Sequence, residues 1–227
     1  MKLNIENVYV VHYTKLHERR NVIERQFNDI SKNLIFIEDF DAEEITDEIL
    51  AEWYQPSKEQ WDIRNRNLWG KKGLPTPAFR IINMAEVSCT IKHIKAMELI
   101  AENGDGFIIE DDVLLKDNFV KSFNKAIDEL PEDWDVIMVG AGCNLHVPSI
   151  PGKIFYKVDD PATRCLDSYL VSQKAAQKLI KTIKPFQTIS DWELAWQLHF
   201  NNLTTYWLEP SLCVQGSETG VYKTTLR

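Results

Sequence analysis

The sequence lacks the long apolar runs that take proteins into or across membranes. Near its start the run from Val8 to Val11 is shorter than the roughly 7 to 15 apolar residues of a signal peptide. No stretch approaches the roughly 20 apolar residues that span a bilayer. Hydrophobic residues still make up 44% of the chain, which is enough for a buried core. These features predict a cytoplasmic protein without a transmembrane segment.

Basic residues are fewer than acidic ones, and cysteines are few. The chain has 26 Lys and Arg against 34 Asp and Glu, a net charge of −8, which argues against a nucleic-acid partner. The four cysteines form no CxxC pair, so neither a zinc site nor a redox motif is expected. We expect them to be reduced and partly buried: Cys89, Cys143, Cys165 and Cys213.

Strand-like and helix-like segments alternate along the chain, which predicts an α/β fold with a mostly parallel central sheet flanked by helices. Strands are predicted at Asn7 to Val11 and Asn33 to Glu38, on either side of a helix between Leu16 and Ile30. A helix from Met84 to Ile100 precedes the apolar strand Phe107 to Ile109. At 227 residues the chain is expected to form a single domain, residues 1–227.

The second half continues the alternation, and residues 40–80 interrupt it. Further strands are predicted at Trp134 to Gly140, Cys165 to Val171, Leu203 to Leu208 and Leu212 to Val214, and further helices at Asp117 to Leu130, Lys174 to Lys184 and Asp191 to Phe200. Residues 40–80 are predicted to be a helical and loop insertion, with QWDIRNRNLWGKKGLPTP as an ordered loop or lid. Trp53, Trp61 and Trp69 either anchor this insertion or form a sugar-stacking platform.

Three consecutive carboxylates, Glu110, Asp111 and Asp112, follow the apolar strand. Ligands of open α/β sheets bind at the carboxyl ends of strands, so this is a candidate site. Because side chains alternate along a strand, Glu110 and Asp112 are predicted to face one cation and Asp111 to point away. Such oxygen ligands suit Mg²⁺ or Mn²⁺. The alternative is an acidic start to a solvated loop.

Several segments, taken in order, resemble glycosyltransferase family 25, the lipopolysaccharide and collagen galactosyltransferase group. They are VYVVHYTKLHERR, AEVSCTIKHIKAMELI, FIIEDDV, WDVIMVG, DSYLVSQKAAQKLI, SDWEL and VQGSETGVYKTTLR. The resemblance implies a GT-A type, Rossmann-like domain, a UDP-sugar donor such as UDP-galactose, a divalent metal (Mn²⁺ or Mg²⁺) and inversion at the anomeric carbon. It also implies that Glu110 and Asp112 occupy DxD-type metal-binding positions, although the choice of two among the three carboxylates stays open.

An inverting transfer needs a general base that takes the proton of the acceptor hydroxyl. Asp191 is the first candidate and Glu193 the second, both at the start of a predicted helix. Ser190 is expected to cap this helix and Trp192 to stack on an acceptor sugar. The structural alternative is that Asp191 is itself the cap or a first-turn acid favoured by the helix dipole.

Donor contacts are expected at both ends of the chain. The resemblance places nucleotide contacts after the first strand, and the small polar residues of the C-terminal tail can wrap a diphosphate with backbone N–H groups. The candidates are His12, Tyr13, Arg20, His93, Asp111, Gln215, Ser217 and Lys223. A helical histidine such as His93 is about as often structural, and a tail is often frayed. Lys92 stands where the family often has serine.

The leading hypothesis is an inverting, metal-dependent transferase that moves galactose or glucose from a UDP-sugar to a glycan or protein-linked acceptor. A nucleotidyltransferase shares the α/β core and paired carboxylates, but the sequence has no glycine-rich phosphate loop near its start. The other alternative is a noncatalytic sugar-binding protein of the same fold. Such a protein has no chemical reason to keep the acidic triplet together with Asp191.

Overall fold

The strands of the fold are short, and those at its centre are buried. The computed structural model describes residues 1–69, 78–159 and 161–224 of the chain. In these ranges the strands are β1 (Asn7–Val11), β2 (Asn33–Ile37), β3 (Gly106–Glu110), β4 (Val113–Leu115), β5 (Val136–Met138), β6 (Phe155–Val158), β7 (Ser168–Val171), β8 (Thr205–Leu208) and β9 (Cys213–Gln215). The α-helices are α1 (His17–Phe27), α2 (Asp47–Trp53), α3 (Lys58–Arg64), α4 (Met84–Asn103), α5 (Phe119–Asp128), α6 (Gln173–Leu179) and α7 (Ser190–Phe200).

Within the described residues, seven strands form one sheet in the order β2-β1-β3-β7-β5-β8-β6, and β4 pairs with β9 beside it. β1 is parallel to β2 and β3, and β5 is parallel to β8, whereas β7 and β6 run antiparallel to their neighbours. The prediction of a mostly parallel central sheet is therefore confirmed. Because β7 runs against β3, its first residues lie beside the carboxyl end of β3.

Helices cover both faces of the sheet, as predicted. Side chains alternate along β1, so Val8 and Val10 face one apolar layer and Tyr9 and Val11 face the other. The Val8 layer contains buried residues of α1 and α5. The Tyr9 layer contains buried residues of α4, α6 and α7. This packing holds the carboxyl ends of β1 and β3 side by side, with Val11 opposite Glu110.

Element boundaries differ from the predictions mainly at the ends. The strand predicted from Trp134 spans Val136–Met138, the strand predicted from Cys165 begins at Ser168, and the helix predicted at Lys174 to Lys184 spans Gln173–Leu179. β4 and β6 were not predicted. Both are short and carry little alternation of apolar and polar residues, so their pairing partners define them.

Residues 40–69 are more helical than predicted. The hydroxyl oxygens of Thr46 and Ser57 accept N–H bonds that start α2 and α3, and a π-helical turn over Asn65–Trp69 follows. The predicted loop is therefore wrong for residues 60–69, and the rest of the proposed lid, 70–77, lies outside the described residues.

The three tryptophans of this segment are anchors. Trp53, Trp61 and Trp69 have exposed fractions of 4%, 6% and 0%, which agrees with the alternative that they anchor this segment. Trp61 and Trp69 pack together with Trp192 of α7.

In the part of the chain that the structure describes, no helix is both long and apolar enough to cross a membrane.

Candidate active site

A cavity of about 320 Å³ opens at the carboxyl ends of β1 and β3. Seven residues singled out from the sequence line it: His12, Tyr13, Glu110, Asp111, Asp112, Gln215 and Ser217. They meet there because β1 and β3 are parallel neighbours and because β9 brings the C-terminal segment to β4, directly after the acidic triplet. Five other candidates are not among the lining residues: Arg20, His93, Asp191, Glu193 and Lys223.

Asp111 points toward the β1 side of the cavity. Its carboxylate accepts hydrogen bonds from His12 Nδ1 at 2.9 Å, from Arg19 at 2.8 Å and from the Tyr13 N–H at 3.2 Å. Burial opposes ionisation of Asp111, but the His12 and Arg19 contacts outweigh it and lower the pKa of this carboxyl. Asp111 therefore fixes the loop after β1 to the end of β3.

Glu110 lies in a different environment. His93 Nε2 is 3.2 Å from one carboxylate oxygen, and the Gln215 amide donates to the other at 3.2 Å. Burial and the nearby carboxylates of Asp112, Asp111 and Asp191 raise the pKa of Glu110 to about 8. Three acids in one buried region repel one another, so a cation there stabilises the ionised form.

His93 contacts Glu110 from the buried side of the site. Its Nδ1 lies 3.0 Å from the Tyr169 hydroxyl, and the ring is buried. Burial lowers the pKa of His93 to about 3, so the ring is neutral and its two nitrogens bridge Glu110 and Tyr169. The structure therefore places His93 behind a carboxylate, whereas the sequence-based hypothesis had it contacting the donor.

Asp112 carries an unused buried oxygen. Its Oδ2 accepts the Ser217 N–H at 3.2 Å and its backbone carbonyl accepts the Gly216 N–H at 2.8 Å. Its Oδ1 is buried and has no hydrogen-bond partner among the described residues. Leaving a buried carboxylate oxygen unpaired is costly, and a divalent cation removes that cost. The donor set of Glu110 and Asp112 thus fits Mg²⁺ or Mn²⁺.

The C-terminal segment is tied to the cavity at several points. Arg19 donates to the Lys223 carbonyl oxygen at 2.6 Å, and its guanidinium lies 5.0 Å from the centre of the Tyr222 ring. The contact of Lys223 is made by its backbone, and its side chain is exposed. A Cβ on Gly216 would lie 2.7 Å from the Asp112 carbonyl oxygen, so glycine allows the close approach.

The two candidate bases on α7 have different surroundings. Asp191 lies in the first turn, where its Oδ1 accepts the Trp192 N–H at 2.9 Å, and burial raises its pKa. It also acts electrostatically on Glu110 and His93. The N-cap residue is Ile189 and makes no side-chain cap, so the predictions of a Ser190 cap and of an Asp191 cap are wrong.

Glu193 holds helices together. It is 0% exposed and accepts hydrogen bonds from Arg64 at 2.6 Å, from the Gln187 N–H at 2.9 Å and from Gln197 at 2.9 Å. These contacts join α3 to α7. A catalytic role for Glu193 does not agree with this placement, because its oxygens are turned to protein donors.

The sequence model described as glycosyltransferase family 25 (LPS biosynthesis protein) matches residues 5–194. The chain belongs to glycosyltransferase family 25. Its membership implies a sugar donor and an acceptor, and the family description connects it with lipopolysaccharide biosynthesis. A search of curated proteins finds no match.

The match to family 25 covers the acidic triplet and Asp191 but ends before the C-terminal segment. Gln215 and Ser217, which contact Glu110 and Asp112, therefore lie beyond the matched range. Their connection to the site rests on the contacts described above.

Two cationic side chains at the site of this family 25 chain were not selected from the sequence. The first is Arg19, whose guanidinium pairs with Asp111. Its neighbour Arg20 was selected from the sequence instead, but Arg20 pairs with Glu24 and Glu38 on the surface. Helical periodicity places Arg19 on the buried face of α1, which is the signal that identifies it. The second is Lys92, which is buried against Asp41 and the His12 carbonyl oxygen.

Asp167 is a further carboxylate missed from the sequence. It lies just before β7, and its backbone carbonyl accepts the Glu110 N–H at 2.8 Å. Gly140 leaves room for its side chain, and the Ser168 hydroxyl donates to it at 3.0 Å. Burial and the charge of Glu110 raise the pKa of Asp167 to about 7. Sequence alone did not place it near Glu110, because that requires knowing that β7 pairs with β3.

Proposed function

We propose that the chain is an inverting, divalent-metal-dependent hexosyltransferase of GT-A type that uses a UDP-sugar, with galactose or glucose as the hexose and a glycan or glycosylated acceptor. The observation that carries this proposal is the pair Glu110 and Asp112 in the cavity at the carboxyl edge of the sheet, with Asp112 Oδ1 buried and unpaired among the described residues. A nucleotide sugar fits this location, because α/β sheets bind nucleotides at that edge.

The charges of the cavity favour a donor that arrives with a cation. Its acidic lining residues are Glu43, Glu110, Asp111 and Asp112, and its basic ones are Arg19 and Lys92. Both bases are already paired, Arg19 with Asp111 and Lys92 with Asp41. A diphosphate entering alone meets excess negative charge, so its binding requires added positive charge.

Glu110 and Asp112 would hold that cation. When bound, a divalent metal offsets the negative charge that develops on the diphosphate leaving group. The chain itself supplies the orientation: His93 and Gln215 position the two oxygens of Glu110, and the Ser217 N–H fixes one oxygen of Asp112. On the other side, Asp111 holds the loop that carries Tyr13, a residue that lines the cavity and is proposed to stack on the nucleotide base.

Asp191 is proposed as the general base. In an inverting transfer the acceptor oxygen attacks the anomeric carbon, the bond from that carbon to the diphosphate oxygen breaks, and the hydroxyl proton passes to the base. Burial raises the pKa of Asp191, which strengthens it as a proton acceptor. Its electrostatic effect on Glu110 agrees with a place in the same region as the acidic triplet. Glu193 is not proposed, since its carboxylate is occupied.

The test is consumption of a panel of nucleotide sugars, with and without Mn²⁺, by the chain and by Asp112→Asn and Asp117→Asn. Asp117 is exposed and close in sequence, so it is the matched control. We expect one UDP-hexose to be consumed only with metal, with at least a hundredfold loss in Asp112→Asn and none in Asp117→Asn. Consumption without metal, or equal rates in the two variants, would refute the proposal.

A further inference from the structure

Two thiols that are distant in sequence meet beside the C-terminal segment. Cys143 lies in the short 3-10 turn Gly142–Asn144 after β5, and Cys165 precedes β7. Their Sγ atoms are 3.2 Å apart. The four cysteines are free thiols in the structure, and Cys143 is exposed, so the expectation that each is partly buried is wrong for it.

The backbone around the pair is adapted to bring the thiols together. Cys143 and Cys165 have φ values of 55° and 62°, in the left-handed region that residues other than glycine rarely adopt. A Cβ on Gly142 would lie 2.5 Å from the Cβ of Cys165, so a larger residue there would separate the pair. Unusual backbone of this kind persists where the surroundings enforce it.

A carboxylate completes the cluster. Glu218 accepts the Cys143 N–H at 2.5 Å, and one ligand atom from each of Cys143, Cys165 and Glu218 lies within 4.8 Å of the other two. Glu218 directly follows Ser217, whose N–H binds Asp112. Two sulfurs and one oxygen are a donor set for a thiophilic cation such as Zn²⁺.

The distances and charges favour a metal over a redox pair. Zinc–sulfur bonds of about 2.3 Å in a tetrahedral site place two sulfurs about 3.8 Å apart, whereas a disulfide needs about 2.05 Å. Reactive redox cysteines lie in electropositive surroundings. Cys165 instead lies near the carboxylates of Asp191 and Glu218. A divalent cation compensates this negative charge.

We propose that Cys143, Cys165 and Glu218 bind a thiophilic divalent cation of the Zn²⁺ class, with water as the fourth ligand. Binding releases the two thiol protons to solvent and leaves two thiolates on the cation. The site is distinct from the carboxylate pair Glu110 and Asp112. It joins the turn after β5 to the C-terminal segment. A bound cation would therefore hold Glu218 in place next to Ser217, which lines the cavity. The inference does not depend on the proposed transfer reaction.

Titration of the reduced chain with Cd²⁺ alone tests the site through the ultraviolet thiolate-to-cadmium charge-transfer band. We expect one equivalent to bind, the band to be lost in Cys143→Ser and in Cys165→Ser, and the affinity to fall roughly tenfold in Glu218→Gln, since one ligand of three is lost. Cys89→Ser and Cys213→Ser are the matched controls and should keep the band. Cys89 is the important one, because it clusters with His93 and Glu110.

The readout separates this site from the proposed donor site. Mn²⁺ prefers oxygen ligands, so an excess of Mn²⁺ should leave the cadmium band unchanged, whereas Zn²⁺ should remove it. The proposal is overturned if the band survives loss of Cys143 and Cys165 together, if it disappears with Cys89, or if no Cd²⁺ binds to the reduced chain. A native disulfide, seen as the loss of two hydrogens in the intact mass, would also overturn it.

Discussion

Arg19 and Arg20 are adjacent in sequence but make different contributions. Arg19 is nearly buried and pairs with buried Asp111, whereas Arg20 pairs with the half-exposed carboxylates of Glu24 and Glu38. Removing one member of a buried pair leaves an uncompensated charge, while exposed pairs contribute little. The stability of the fold therefore depends on one of these arginines and hardly on the other.

We predict that Arg19→Ala lowers the free energy of unfolding by about 3 kcal/mol. The matched variant Arg20→Ala should lower it by less than about 1 kcal/mol. Urea denaturation of both variants measures the difference. Equal losses would show that the Arg19–Asp111 contact does not stabilise the chain as the geometry indicates.

Replacement of Asp191 tests the proposed base. Asp191→Asn should reduce kcat roughly a hundredfold to ten-thousandfold and leave the KM for the donor nearly unchanged, because the amide cannot accept the proton. Glu193→Gln should act mainly on stability, since Glu193 is enclosed by Arg64, Gln187 and Gln197. Steady-state kinetics decide, and an Asp191→Asn variant with wild-type kcat would remove Asp191 from the mechanism.

The residues that the sequence predicted well lie at strand ends. His12 and Glu110 follow apolar runs, and the ends of parallel strands share an edge, so their meeting follows from local pattern. Arg19 needed the choice of the correct helix face. Asp167 and the pair Cys143 and Cys165 depend on long-range pairing, which no local pattern encodes.

At the scale of elements, the same distinction holds. β1, β3 and α4 have clear apolar patterns and were predicted with at most a few residues of error. β4 has three residues and exists because it pairs with β9. The direction of β7 also escaped prediction, because antiparallel insertion in a largely parallel sheet is decided by packing between distant segments.

The segment after β9 gives a prediction at this scale. Gly216→Ala should raise the KM for the donor roughly tenfold, equivalent to about 1.4 kcal/mol, because the new Cβ pushes the segment away from Asp112. Gly152→Ala is the control. It replaces a glycine with a φ of 81° in an exposed loop next to β6, so it carries backbone strain without touching the cavity. Donor kinetics that respond equally to both substitutions would contradict the proposed role of this segment.

For the whole molecule, buried acids make folding stability depend on pH. The pKa of Asp167 is raised from its ordinary value near 3.8 to about 7 by burial and by Glu110. The charged groups that act on it are Glu110, Asp112 and Arg164. Between these two pH values the folded chain keeps a proton that the unfolded chain has lost. This contribution to stability is therefore greatest below about pH 4 and is lost as the pH rises to about 7.

Asp167→Asn should remove this dependence. At pH 8 and with a chelator present, the variant should be more stable than the native chain by a free energy on the order of 2 kcal/mol, and the difference should vanish near pH 4. Denaturant unfolding across this pH range measures it. Parallel stability curves for the two proteins would show that Asp167 is not protonated preferentially in the folded state.

The whole chain has a net charge of −8, and its cavity is acidic as well, yet the proposed donor is an anion. Donor binding is therefore expected to depend on a cation held by Glu110 and Asp112. Calorimetric titration of UDP with and without Mn²⁺, in the native chain and in Asp112→Asn, tests this most directly. We predict that Mn²⁺ tightens UDP binding at least a hundredfold in the native chain, about 2.7 kcal/mol, and has no such effect in Asp112→Asn. UDP affinity that is the same without Mn²⁺, or an undiminished Mn²⁺ effect in the variant, would contradict it.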